Sequence, residues 1–497
     1  MPYAEILSAR SYVSKGPVST SSWLSSAKPG EAYEIELYTF MRSRSNRSLW
    51  VPRIVTVSSL DRGLIERCLC EIRRRMGSNP QRPKSLLVLI NPYGGSRKAA
   101  AVYEREVKPV FEKAGIRTTV RTTRYSGDAK ETVCRVFGGY GRITTANGTA
   151  ERTARAGDVR DAHEDAKVAD SAAATHDDIA DIADIADLSG IVAVGGDGLF
   201  HEVVAGLLKV DMQHRIRVAH VAAGSTDSVA STLNGTRSAF TAAMHVALGD
   251  NVALDVLRLD TERETKFAMS MASWGFFGNV MEESEKVRWL GPMRYDLVGA
   301  RMWLLNRSYP ARIEFLSAPP ETSASQIVCT KDCPVCSQPS HSRLNPARKS
   351  FKLHAQESRM RFASDWQVVE GEFAGVMMVI IPCRSDKSKA GVCKYSHLSD
   401  GRIHLVMIKA CSRWRYLQFL LRLSKEGLES GSSEDGIVRV EPCVAVKVTH
   451  AVRNASNDAN VGGNVWNVDG ELVEAGSVLH AEVHRRVIEA FSRGVEE

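Results

Sequence analysis

An apolar run that stops at a cluster of glycines constrains this chain more than any other stretch. Residues 191–202 read Ile-Val-Ala-Val-Gly-Gly-Asp-Gly-Leu-Phe-His-Glu. The β-branched run predicts a buried strand ending at Gly195-Gly196-Asp197-Gly198. Val203, Val204, Leu207 and Leu208 then recur at the spacing of one buried helix face. A strand that ends in glycines and opens a helix lets backbone N–H groups close on phosphate oxygens. Asp197, in the middle of the turn, can take a proton from an attacking hydroxyl or help hold Mg²⁺. Standing alone, the same residues also describe a tight turn with an exposed acid.

They do not stand alone. Leu86-Leu87-Val88-Leu89-Ile90 runs into Asn91-Pro92-Tyr93-Gly94-Gly95-Ser96-Arg97-Lys98, a second strand and glycine turn. A third follows Arg217-Val218-Ala219-His220-Val221, as Ala223-Gly224-Ser225-Thr226-Asp227. Neither a Walker A loop nor Gly-x-Gly-x-x-Gly occurs at the first two turns, so the P-loop and dinucleotide fingerprints fail. Glycine turns at the strand ends of one parallel sheet fit a crevice at its carboxyl edge.

Composition narrows the field further. The 497 residues give room for two or three domains, and a hydrophobic share of 43% can supply their cores. No apolar run reaches the roughly 18 residues that suggest a membrane span. The start, Met1-Pro-Tyr-Ala-Glu-Ile-Leu7, lacks the apolar region of a secretory signal, so a cytoplasmic chain is expected. Ten irregularly spaced cysteines then read as reduced thiols or metal ligands. A net charge of +7 favours an anionic membrane surface or phosphorylated ligands. It would also suit nucleic acid, but no nucleic-acid module or aromatic stacking platform accompanies it, so no nucleic-acid partner is expected.

The chain divides unevenly. Residues 1–31, rich in Ser, Ala and Gly, are expected to be flexible. Residues 32–56 alternate like two strands around the basic turn 42–47, and Asp61 then caps a helix from Leu64 to Met76. Residues 81–250 carry the glycine turns and predict a doubly wound α/β domain. Residues 141–187, packed with Ala, Asp, Thr and Arg, read as a disordered or loosely helical insertion without an assigned role. Residues 251–477 hold strand patterns such as Lys266–Ala272, Ala311–Phe315, Gly375–Ile381 and Ile403–Lys409, which predict an all-β second region. A last strand and helix, about Val478 to Arg493, should pack back on the first domain.

Asn-Pro-x-Gly-Gly, Val-Gly-Gly-Asp-Gly-x-x-x-Glu-Val and Ala-Gly-Ser-Thr-Asp, in this order, resemble the diacylglycerol/sphingosine/ceramide lipid kinases. The ceramide-kinase branch is the most similar. Asp250-Asn-Val-Ala-Leu-Asp255, Ser284-Glu-Lys-Val-Arg-Trp-Leu-Gly291, His397-Leu-Ser-Asp-Gly401 and Trp466-Asn-Val-Asp-Gly-Glu471 fit it, as does Cys329-x-x-x-Cys333-x-x-Cys336. The similarity runs from about residue 80 to the C-terminus, with gaps. It implies a β-sandwich for the second domain, nucleotide in the interdomain cleft, and a partial pleckstrin-homology-like module over 32–80.

The resemblance also implies roles. Asn91, Gly94, Gly95 and Thr123 fall at the nucleotide, as do Gly195, Glu202, Asp469 and Glu471. Gly196 and Gly198 fall at the phosphates, Arg288 and Arg294 match phosphate-contacting arginines, and Asp197 is the general base. ATP and Mg²⁺ are the implied nucleotide and cation. Gly224, Ser225, Thr226 and Asp227 form the implied substrate turn, with Asp227 holding the sphingoid head group, although Asp227 also stands where a helix N-cap is expected. A sphingosine kinase would place an acid near position 281. This chain has Met281, which favours an uncharged amide such as ceramide over an amine.

The three cysteines read either as a reduced loop or as zinc ligands, completed by Cys383, Cys393 or His397. The basic, apolar stretch Arg413–Leu423 reads as a core helix, with calmodulin binding or a membrane surface as alternatives. The expected activity is thus ATP-dependent phosphorylation of ceramide by a chain peripherally associated with membranes. Sphingosine or diacylglycerol as substrate, and a catalytically silent lipid-binding scaffold, are the rivals. An NAD kinase shares Gly-Gly-Asp-Gly but leaves the blocks from 284 to 471 unexplained.

Overall fold

The computed structural model describes residues 3–14, 32–95, 97–138, 188–291, 293–319, 326–338, 366–386, 388–433, 435–450 and 464–497. The insertion 141–187 lies outside them. Strands β1 (Ser8–Ser14), β2 (Ala32–Arg42) and β3 (Trp50–Ser59) form an antiparallel sheet crossed by helix α1 (Arg62–Gly77). Asp61 caps this helix by accepting the Leu64 N–H at 3.0 Å. On this helix Ile65 and Leu69 are buried against Ile6, Ala9, Ile35 and Leu37, while Leu64 and Cys68 are exposed. Residues 8–14 correct the expectation of a flexible start: they pair with β2 in register from Ser8↔Tyr38 to Ser14↔Ala32. Burial of Ile6, Leu7 and Ala9 holds them there. Residues 15–31 lie outside the described chain. Phe40 stacks on Trp50 at 3.7 Å, and the Trp50 N–H donates to Thr241 Oγ1, fixing this module to the next.

The next region alternates β4 (Ser85–Ile90), α2 (Ala99–Val102), a π-helical turn at Tyr103–Val107, α3 (Lys108–Ala114), β5 (Arg117–Thr122) and α4 (Asp128–Phe137). It continues through β6 (Gly190–Gly195), α5 (Asp197–Lys209), β7 (Arg217–Ala222), α6 (Ser228–Asn234) and α7 (Ala239–Leu248). The strands are parallel in the order β5-β4-β6-β7. Both faces are apolar because each is covered. Leu87, Leu89, Ile191 and Ala193 pack on the α4/α5 side, and Leu86, Val88, Ile90, Val192 and Val194 on the α3/α7 side. Register aligns the strand ends, with Ile90 opposite Thr122 and Val194, and Gly195 opposite Ala222. Asn91, Thr123, Gly196 and Ala223 therefore leave the sheet at one carboxyl edge.

The remainder comprises β8 (Val252–Asp260), β9 (Thr265–Ala268), β10 (Met271–Gly275), α8 (Phe276–Lys286), α9 (Met293–Leu305), β11 (Tyr309–Ser317) and α10 (Pro334–Ser337). It then runs β12 (Gln367–Val379), β13 (Ile403–Lys409), α11 (Arg413–Glu426), β14 (Gly431–Ser432), β15 (Val438–His450), β16 (Val465–Val468), β17 (Glu471–Glu474) and β18 (Val478–Ala490). Its main path, β17-β16-β10-β12-β11-β15-β18, joins β7 through β18, so the parallel and antiparallel parts share one mixed hydrogen-bonded sheet. β18 pairs with β15, with β8, and in parallel with β7 at Ala490↔Val218.

Two expectations need correction. The strand expected over 266–272 is broken between β9 and β10, where the Asp469 carboxylate accepts the N–H groups of Met269, Ser270 and Met271. No helix follows β18. Instead Ser492 Oγ donates to the Leu233 carbonyl and Lys331 N–H to that of Val495, which tie the tail down as extended chain. In α11, Tyr416, Phe419 and Leu423 are buried, as the core-helix reading expects, while Trp414 and Leu421 of the same helix are exposed.

Inside the strand-rich region, His450 Nε2 accepts the Trp466 indole N–H at 3.2 Å, and its ring lies 4.7 Å from Trp274. Burial pushes its pKa down to about 4. The unfolded chain takes up this proton near pH 6.5 while the folded chain refuses it until about pH 4. The linked stability is therefore complete above pH 6.5 and is lost as pH falls toward 4. His450→Gln, which keeps an acceptor but cannot titrate, should flatten the loss of unfolding free energy between pH 7 and 4.5 by up to roughly 3 kcal/mol in urea titrations.

Candidate active site

The three glycine turns touch backbone to backbone. A Cβ on Gly224 would lie 2.5 Å from the Gly196 Cα, and one on Gly95 would lie 2.6 Å from the Gly224 carbonyl carbon. Gly95 also has a φ of +53°, which side chains resist. Asn91 shapes its turn by accepting the Tyr93 N–H through Oδ1 at 2.9 Å, with Gly94 beside its side chain. Thr123 is buried against the Ile90 carbonyl, whereas Gly198, Ser225 and Thr226 are exposed at the rim.

Asp197 opens α5 beneath this junction. Its Oδ2 accepts the Ser228 N–H and its Oδ1 the Val229 N–H, both at 2.9 Å. The acid thus caps α6 from a neighbouring element, and its side chain remains 19% exposed. His220, buried on β7, places Nδ1 3.7 Å from Asp197 Oδ1 and Nε2 3.2 Å from the Gly195 carbonyl.

Asp227 is the main departure from expectation. Its carboxylate is fully buried, accepting the Gly224 N–H and the Nε and Nη2 of Arg237, the last at 2.6 Å. Burial raises its pKa, with His220 and Arg237 opposing. It makes no N-cap hydrogen bond, because Asp197 holds the helix N–H groups that it would have taken. Both Asp227 oxygens are engaged by protein groups. Arg237 also reaches the Gly224 carbonyl and Asp386.

Along α5, the helix that Asp197 opens, a cavity of about 540 Å³ is lined by His201, Glu202, Glu471, Lys130, Lys266 and Phe267 among others. Glu202 accepts the N–H groups of Gly127 and Ala129 at the start of α4, and burial raises its pKa. Glu471 lies 3.4 Å from His201 Nδ1, which lowers the acid's pKa. Burial opposes charge on His201, but Glu471, Asp469 and the Phe267 carbonyl together raise its pKa. Asp469 is fully engaged in the β9–β10 turn. Arg294 is held by Glu285 and Tyr295 within the α8–α9 hairpin, and Arg288 lies in the 3₁₀ turn between those helices. Met281 is half-buried on α8, and nearby Glu283 pairs with Lys286 and Arg301.

Sequence reasoning missed Arg237 and His201. Arg237 is the first basic residue after Asp227, and a buried acid needs such a partner. His201 falls four residues after Asp197 on the same helix, a spacing that places the two one turn apart.

A second cluster lies away from the glycine turns. Cys329 Sγ is 3.7 Å from Cys336 Sγ, and Cys333 Sγ is 3.3 Å from His397 Nδ1. The four ligand atoms lie within 4.8 Å of one another, so His397 rather than Cys383 or Cys393 completes the set.

Comparison with known proteins agrees with this architecture. A diacylglycerol kinase catalytic domain family model matches residues 85–148 and 143–259, and a ceramide kinase C-terminal domain model matches 326–497. The human protein named ceramide kinase is 27% identical over 96% of this chain and 85% of its own length. Sphingosine kinase 1 of Arabidopsis thaliana is 29% identical over 69% of this chain and 60% of its own. A crystal structure of a putative diacylglycerol kinase from Bacillus anthracis shares the fold at 14% identity, with a TM-score of 0.50 over 84% of this chain and 97% of that one. The chain belongs to the diacylglycerol/ceramide family of lipid kinases. It is a lipid kinase, and among its described residues no helix is long and apolar enough to cross a membrane.

Arg237→Ala would leave Asp227 buried and unpaired. The expected result is a loss of roughly 2–4 kcal/mol in unfolding free energy, with Arg237→Lys recovering only part, both measured by urea denaturation.

Proposed function

We propose that this chain transfers the γ-phosphoryl group of ATP to the primary hydroxyl of ceramide, with Asp197 as the general base. The observation that carries the proposal is the place of Asp197: a partly exposed carboxylate at the junction of three glycine turns. Asp197 Oδ2 accepts both the N–H and the hydroxyl of Ser228, whereas Oδ1 accepts only the Val229 N–H and keeps a lone pair for a hydroxyl proton. The two N–H bonds fix the carboxylate so that it need not reorganise as the proton arrives. In a loose phosphoryl-transfer transition state the base mainly orients the hydroxyl and accepts its proton late.

The nucleotide is assigned to the turns and the adjoining cavity. The amides of Gly196 and Gly198 face phosphate, and His201, Glu202 and Glu471 border the remainder. Asp197 and Glu471 offer hard oxygen ligands suited to Mg²⁺, whereas Asp469 Oδ1 is filled by the β9–β10 turn and Oδ2 is tied to the Met269 N–H. Bound with the nucleotide, Mg²⁺ supplies charge neutralisation on the phosphates.

Ceramide is favoured by the relatives of that name and by Met281, where no acid stands to meet a sphingoid ammonium. Asp227 acts in this reading through the Gly224 turn, not through the lipid. The nucleotide cleft between a β-sandwich and the α/β domain, the pleckstrin-homology-like reading of the N-terminal sheet and a peripheral membrane address remain part of the proposal. Trp289, Met293 and Leu297, at 82, 59 and 52% exposure around the α8–α9 junction, support contact with a lipid surface.

Labelled ATP offered with ceramide, sphingosine and diacylglycerol in mixed micelles tests the reading. Ceramide phosphate should form with wild type and fall at least about a hundredfold in Asp197→Asn. Because Asp197 also caps α6, the variant's melting temperature must be read beside its activity. A cap contribution of about 1 kcal/mol predicts a fold that survives the substitution. Preferred transfer to sphingosine or diacylglycerol would overturn the substrate, and full activity in Asp197→Asn would overturn the base.

A further inference from the structure

We infer that Cys329, Cys333, Cys336 and His397 bind one zinc ion, and that this ion clasps two segments of the C-terminal half against the helix that Asp197 caps. The cluster lies outside the phosphoryl-transfer site, so the inference does not depend on the identity of the lipid.

The geometry is that of a tetrahedral cage. With zinc–sulfur distances of about 2.3 Å, ligand sulfurs lie about 3.8 Å apart, and sulfur and imidazole nitrogen slightly closer. The observed separations are 3.7 Å between Cys329 and Cys336 and 3.3 Å between Cys333 and His397. At 3.7 Å the two sulfurs are not bonded, since a disulfide requires about 2.05 Å. Three thiols and one imidazole form a soft, closed set that suits structural zinc. Cys329, Cys333 and His397 are each at most 5% exposed, which would bury several donors around an empty centre if no cation joined them. His397 Nδ1 faces the sulfurs, which makes it the ligating nitrogen and leaves Nε2 to carry the ring proton.

The local chain is built to present these ligands. Cys333 precedes the one-turn helix α10, whose Ser337 returns both its N–H and its hydroxyl to the Cys333 carbonyl. That turn brings Cys336 back beside Cys329. His397 arrives from a segment sixty residues on in sequence, anchored where Leu398 accepts the Asp255 N–H.

Each ligand segment is then tied outward. Arg486 donates to the Cys336 carbonyl, and Lys331 N–H donates to that of Val495 in the tail. Arg384 donates through Nη2 to the Cys329 carbonyl at 3.2 Å, and its own N–H donates to Thr232 Oγ1 at 2.8 Å. Thr232 belongs to α6, whose first N–H groups are held by Asp197. The cage is thus two hydrogen bonds from the helix that fixes the base.

Elemental analysis of the purified full chain should find about one zinc per molecule. His397→Ala and Cys333→Ser should lose it. His397→Cys, which restores a fourth soft ligand, should keep it, as should Cys393→Ser, a buried thiol outside the cage. Cobalt exchange into wild type should give the absorption of a tetrahedral thiolate site, shifted in His397→Cys, and chelation should lower the melting temperature. The His397→Cys rescue separates ligation from packing, and none of these readings requires kinase activity. A folded wild-type chain that contains no zinc and takes up none on titration would overturn the inference. So would unchanged zinc in both His397→Ala and Cys333→Ser, or a mass lower by two hydrogens that reveals a disulfide.

Discussion

Where Gly95, Gly196 and Gly224 meet, neither Gly95 nor Gly224 has room for an added carbon, and the rest of the molecule is arranged around that contact. Because backbone meets backbone there, the ends of β4, β6 and β7 must stop in register, as they do. The same closeness brings Asp197 within reach of the start of α6. An acid exposed enough to meet substrate therefore also caps a helix it does not belong to. Asp227 and Arg237 lock the third turn from behind. In the proposed reaction chemistry and fold share these groups, so a change at any of them should be read in stability as well as in rate.

Much of this was legible in the sequence because each strand–turn–helix unit is a local pattern. The apolar runs 86–90, 191–194 and 217–221, the glycines and the helical face after Gly198 predicted the parallel sheet and its carboxyl-edge crevice. The partners of the buried acids were not legible. Nothing local says that Asp197 caps the helix after Asp227, or that Asp469 pins a turn two hundred residues earlier. Asp227 sits fully inside, where an unpaired carboxylate is costly, so Arg237 and the Gly224 N–H hold it. The C-terminal segment misled for a related reason. A last strand and helix are expected over about 478–493, but β15 and β8 take up residues 478–490 as one long strand.

Long-range closure is the other theme. β18 is the last strand of the chain, yet it joins the strand-rich half to β7. The tail beyond it meets α6 through Ser492, the β1–β2 module through Glu496 and Arg42, and the cysteine segment through Val495. Such contacts have high sequence separation and form only once both halves are in place, so docking of β18 should couple the stability of the two.

The claim at the centre of this account is that the three turns and the adjoining cavity form one nucleotide site. Hydrogen–deuterium exchange of the full chain, with and without a non-hydrolysable ATP analogue and Mg²⁺, tests it most directly. Protection should concentrate in residues 91–98, 195–202 and 223–230, with a second focus at 126–130 and 265–271. Saturating nucleotide that leaves those segments unchanged while protecting a separate region would contradict it.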